Sequence, residues 1–264
     1  MSAPRTPKPS CESFENLLKE FWIKRLAQSS TVAVFKTSDP KRLEPFIRFV
    51  ASSYDSLIKK QSIASYEIFL YRVWSGLYRV SIAADEVGYE PVSMGVQASL
   101  PSTLVLPSAQ QQHRIRDLSA ALTYVDDLMN QRDGIVFILW GLFPKKGAPQ
   151  ENDALIAFLR NAIFTDSYYS RFHTIAVFTD TPEAIIDDDT LRHSVLVDVP
   201  PSFDSERRQV IESIARTLGL TSNNLDALVG ATRGLTIHET ESVTFESFFK
   251  YRSCLLYTSP SPRD

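Results

Sequence analysis

Side chains able to do chemistry are spread thinly along this chain. The four histidines, His113, His173, His193 and His238, lie too far apart to show metal-ligand spacing, and each reads as structural. Asp187, Asp188 and Asp189 could gather a cation, but an acidic turn capping the next helix is the simpler use of them. Arg192, just beyond, could reach across a subunit interface as an arginine finger does, or pair with one of those aspartates. Lys145 and Lys146 before Gly147 read as a solvated turn, because Gly141 is at the wrong spacing for a phosphate loop. Lys36, Lys41 and Arg42 stand where a strand gives way to a helix, a place where helix N–H groups can hold an anion. Cys11 and Cys254 are too few for a disulfide framework or a zinc cluster and are expected as free thiols.

The elements that must position these groups follow from periodicity. Helical spacing of Phe14, Leu17, Leu18, Phe21 and Leu26 predicts a helix begun at Ser13; the stripe Leu17, Phe21, Trp22 reads as core packing before a docking face. Residues 31–35 (TVAVF) form the first buried strand, and Asp39-Pro40 is a cap with proline at the first helical position. Residues 68–74 read as a strand, with 77–82 continuing it or pairing with it as a hairpin. The segment 85–113 has three prolines and weak periodicity; it reads as a mobile insertion with a short strand at 103–106. A helix over 115–129, a strong strand from Ile135 behind Gly134, and a helix over 153–164 come next. Strands at 173–179 and 194–199 follow, the second ended by Pro200 and Pro201. From 206 onward the pattern is helical, over 206–218, 223–231 and 237–249, with Gly219, Gly230 and Gly234 placed as C-cap glycines. Alternating strands and helices followed by helices alone predict a parallel α/β sheet and then a small helical domain.

The order found over 173–211 is strand, polar tip, Thr-Pro, acidic turn, Leu-Arg, strand, proline and a Glu-Arg helix. It resembles the second half of an AAA+ ATPase module. The resemblance implies an AAA+-like (P-loop NTPase-like) parallel sheet flanked by helices, then a small helical lid-like domain. It makes Thr179 or Asp180 the polar sensor of a nucleotide γ-phosphate and places Arg192 near a neighbouring subunit's active site. Residues 226–243 (DALVGATRGLTIHETESV) resemble the small lid that closes over the nucleotide. Residues 1–11, which contain Pro, Ser and Lys, are expected to be disordered, and the implied divisions after them are a degenerate AAA-like domain over 12–205 and a helical domain over 206–253. Residues 254–264 (CLLYTSPSPRD) resemble a translated sequencing adapter, so the natural chain is expected to continue past Ser253.

An NTPase of that kind needs G-x-x-x-x-G-K-[ST] after its first strand, so that backbone N–H groups cradle phosphates and the hydroxyl binds Mg²⁺. None of the nine glycines has a second glycine five residues on, and residues 36–42 (KTSDPKR) contain none. After the third strand, where a carboxylate pair would hold Mg²⁺ and orient water, stand Trp140 and Gly141. The expectation is a module without its own ATPase chemistry and without its own cofactor, similar to the degenerate first half of the plastid and cyanobacterial AAA type. ATP and Mg²⁺ would then belong to a missing downstream domain, and the full-length protein would form a homo-oligomer. The alternative is a nucleotide binder that takes its phosphate contacts from Lys36, Lys41 or Arg42. A formal charge of −3 gives no electrostatic case for nucleic acid or an anionic membrane. No secretory signal follows Met1 and no apolar run approaches the roughly 20 residues of a spanning helix, so a soluble, cytoplasmic chain is expected.

Overall fold

A computed structural model of the chain describes residues 13–83, 86–94, 113–142, 149–218 and 225–255. The readings placed on 1–11, 103–106, Lys145, Lys146, Gly147, Gly219 and the last nine residues lie outside the described residues. The chain divides into two compact units: residues 21–38 with 47–198, and residues 1–20 with 39–46 and 199–264.

The first unit is an α/β sheet flanked by helices. Its strands are β1 (Val32–Lys36), β2 (Glu67–Arg72), β3 (Gly76–Ala83), β4 (Glu86–Pro91), β7 (Ile135–Trp140), β8 (Thr174–Thr179) and β9 (Val195–Asp198). They form a seven-stranded sheet in the order β4-β3-β2-β7-β8-β1-β9. The β2–β7, β7–β8, β8–β1 and β1–β9 pairs are parallel, whereas β3 and β4 add an antiparallel ribbon to the β2 edge. A separate short ladder joins β5 (Ser93–Met94) to β6 (His113–Arg114). Residues 77–82 are thus the hairpin partner of β2.

All six residues of β7 and all six of β8 are buried, as continuous apolar runs covered on both faces must be. One face, with Val34, Phe69, Phe137 and Val177, packs on α3 (Leu118–Gln131) and α4 (Pro149–Phe164) through Leu122, Val125, Leu155 and Leu159. On the other, Phe35 stacks on Phe178 at 4.7 Å and meets the edge of Phe21 from α1 (Phe14–Ala27) at 5.0 Å. Each such side chain contributes about 1.5–3 kcal/mol when fully buried. The long helix α2 (Leu43–Lys59) ends where Gln61 turns left-handed (φ 57°) and Ser62 N–H bonds the Leu57 carbonyl at 2.9 Å, a Schellman closure.

Two local expectations need correction. Part of 85–113 is regular: β4 pairs with β3 throughout, and Gly88 lies over Ser81, whose Oγ would be 2.6 Å from an added Cβ. An edge strand half exposed on both faces carries no alternating apolar signal, which is why the pattern misses it. Gly230 sits inside α8 (Leu225–Ala231) rather than beyond its end; Gly234, at φ 88°, is the left-handed one.

The second unit contains α7 (Asp204–Thr217), α8 and α9 (Ile237–Leu255), together with a one-turn 3-10 segment, Pro40–Arg42. Because α9 runs to Leu255, residues 254 and 255 continue the preceding helix. Two buried arginines tie this unit together. Arg207 reaches Val229 O (3.2 Å), Ser202 Oγ (2.9 Å) and Asp204. Arg42 makes a two-pronged pair with Glu206 (2.5 and 2.9 Å), with Phe14 4.6 Å from its guanidinium. Among the described residues no helix is long and apolar enough to cross a membrane.

Candidate functional site

Strand order singles out one edge of the sheet. The connection from β1 runs past β8 and β7 to β2, whereas the connection from β8 runs past β1 to β9. Adjacent strands that send their chains opposite ways leave a crevice outside their carboxyl ends, and α/β sheets bind ligands there. Lys36 and Thr179 are register partners at these ends, with Asp198 beside Lys36 on the other side.

The groups at this edge are already engaged. Thr179 is 1% exposed; its hydroxyl donates to Leu142 O (3.2 Å) and accepts from Thr181 N–H (3.3 Å). Asp180, next along, is exposed. Lys36 Nζ lies 3.4 Å from Glu183 Oε1. The backbone N–H of Glu183 first, and then Lys36, hold that carboxyl below its ordinary range, with desolvation acting the other way. At the end of β7, Trp140 and Leu142 are buried and Gly141 lies against the Trp74 ring, so the described part of this strand end offers no carboxylate for a metal. Among the described residues no group of three or more His, Cys, Asp or Glu side chains could hold a metal ion.

The three acids before Arg192 act locally. Asp187 caps α6 (Asp188–Arg192), accepting from Thr190 N (3.1 Å) and Thr190 Oγ1 (2.6 Å), and it pairs with Arg160 at 2.8 Å. Burial opposes its ionisation, yet the Thr190 and Arg160 hydrogen bonds hold it well below the carboxylate range. Arg192 is exposed and makes no ion pair among the described residues. Its intramolecular pairing with an aspartate is therefore absent; Arg160 takes that place.

Comparison with known proteins adds no assignment. Neither a family model nor a curated protein matches the chain.

After β1 the chain passes through Thr37 and Ser38 into the helical unit at Asp39. Asp39 is 2% exposed, and its backbone is extended (φ −65°, ψ 111°). Its Oδ1 accepts from Lys41 N (3.0 Å) and its Oδ2 from Ile237 N (2.8 Å). Lys41 Nζ pairs with Glu241 Oε2 at 2.6 Å, so Lys36, Lys41 and Arg42 all face carboxylates. The cap role of Asp39 is legible from Asp-Pro in the sequence. Its second partner, 198 residues away, leaves no local signal.

Proposed function

We propose that this chain is the N-terminal, nucleotide-site-degenerate AAA-like module of a longer AAA+ ATPase. It serves oligomerisation and regulation, while ATP and Mg²⁺ are bound and used by a downstream domain. The position of β1 supports this reading: it has parallel neighbours on both sides and ends at a topological switch point. The carrying observation is Asp39. Where a phosphate cradle would present free N–H groups, a buried carboxylate accepts them. The pairing of Lys36, Lys41 and Arg42 with Glu183, Glu241 and Glu206 supports the same reading. Exposed Phe164, Arg192 and Leu196, on or beside α4, α6 and β9, are candidates for the assembly face.

Thermal unfolding in rising MgATP tests the nucleotide part. The expected midpoint is independent of MgATP, whereas a saturable rise would assign the chain to the nucleotide binders with a non-standard phosphate site.

A further inference from the structure

We infer that the β9 edge of the sheet pairs with the β9 edge of a second copy of this chain, antiparallel and about a two-fold axis. The inference rests on the reading above in one respect, that copies meet at the face bearing Arg192 and Leu196. The sheet has two outer strands, β4 and β9. An outer strand presents backbone N–H and C=O groups along its free side, and proteins blunt such edges with charge, proline or a bulge. β4 is blunted, since it carries exposed Glu86 and Glu90 and ends at Pro91. β9 reads Val-Leu-Val-Asp, with β1 as its strand neighbour and Leu196 half exposed in mid-strand. Val195 and Val197 are buried, whereas Leu196, the register partner of Val34, lies on the face that α3 and α4 cover. Phe164, at the end of α4, is exposed and meets the His193 ring edge-on at 5.2 Å, which adds apolar surface beside the turn leading into β9.

The charges at the two ends of this strand select a second copy as its occupant. Arg192 stands before the strand and Asp198 ends it; both are exposed, and neither has an ion-pair partner among the described residues. An antiparallel pair sets the start of each strand against the end of the other, so two Arg192–Asp198 contacts form together. A parallel pair would bring like charges to each end. Centred on Leu196, the antiparallel pair also sets the two Leu196 side chains directly opposite each other on one face, where cross-strand contact stabilises a sheet most. The arrangement is self-complementary and closes at the dimer, because each copy uses its unblunted edge once. β9 has four residues, so the pair is weak and forms as a concentration-dependent equilibrium.

Sedimentation equilibrium of the whole chain tests this. The native chain is expected to shift from the 29.8 kDa monomer to a dimer as concentration rises. Leu196→Lys, at an exposed position that leaves the core intact, sets like charges opposite each other and is expected to raise the dissociation constant about tenfold or more. Arg192→Asp and Asp198→Arg are each expected to weaken the dimer, and the double variant to restore it, because the swap rebuilds both contacts. In a Cys11→Ser, Cys254→Ser background, Leu196→Cys is expected to give a disulfide-linked dimer on oxidation, and the equally exposed control Trp74→Cys is not. Dimers indifferent to Leu196→Lys, or a double variant no stronger than the singles, would overturn the inference and leave oligomerisation to another face. A monomer at every concentration would remove the pairing and the assembly role together. Stabilisation of the native chain by MgATP would remove only the nucleotide part of the proposed function and leave the pairing standing.

Discussion

Both ring nitrogens of His173 are committed to backbone: Nδ1 accepts from Ile135 N–H at 3.1 Å, and Nε2 faces the Met129 carbonyl at 3.0 Å. The neutral ring therefore carries its proton on Nε2. Burial pushes its pKa down to about 4; Arg171 and Arg25 act the same way, and the Met129 carbonyl and Asp133 oppose. Because the folded state disfavours the proton, this contribution is fully present above the unfolded pKa of about 6.5. It is lost as pH falls from there through 4, by on the order of 3 kcal/mol. Chemical denaturation across that window should show falling stability for the native chain and a flatter profile for His173→Gln; parallel profiles would show that His173 is not the group responsible. Arg25, 1% exposed, lies nearby with Nη2 on the His173 carbonyl (2.6 Å) and its guanidinium 5.0 Å from the Trp22 ring. A lone histidine can be read as structural from its spacing, but which backbone groups it satisfies cannot, since Met129 and Ile135 meet it only after α3, β7 and β8 have packed.

Strand β7 is bounded by two left-handed glycines, Gly134 (φ 68°) and Gly141 (φ 73°), and they tolerate change differently. A Cβ at Gly134 would meet the Ser65 backbone carbonyl at 2.6 Å, whereas at Gly141 it would meet the Trp74 ring at 2.3 Å. Backbone cannot yield without moving β2, but Trp74 is 64% exposed and its ring can swing aside. Gly141→Ala should cost about 1–2 kcal/mol, mostly the left-handed strain, and alter tryptophan emission. Gly134→Ala should cost more. Denaturant midpoints compare the two, and an equal or reversed order would show that β2 adjusts freely. The strand itself is plain in the sequence because six buried positions in a row need a continuous apolar run. β4 is not, because half-exposed edge residues are under no such constraint.

At the scale of the whole molecule, the assembly role predicts that the purified chain associates with itself. Sedimentation velocity over a range of concentrations should show species larger than the 29.8 kDa monomer, weakened in Arg192→Ala. A monomer at every concentration would remove oligomerisation from the proposed function. The alternating strand and helix signals, the proline stops, the Asp39 and Asp187 caps and the missing glycine cradle were determined by the sequence alone. Each depends on residues within a turn or two of one another, so the physics that selects them acts inside a short window. The order of strands in the sheet, the addition of β3 and β4 beside β2, the switch point at Lys36 and Thr179, and the anchoring of Asp39 on Ile237 were decided only by the tertiary structure. These join positions far apart in the chain, and such pairings form through burial and hydrogen bonding that leave no periodic trace in the residues between them.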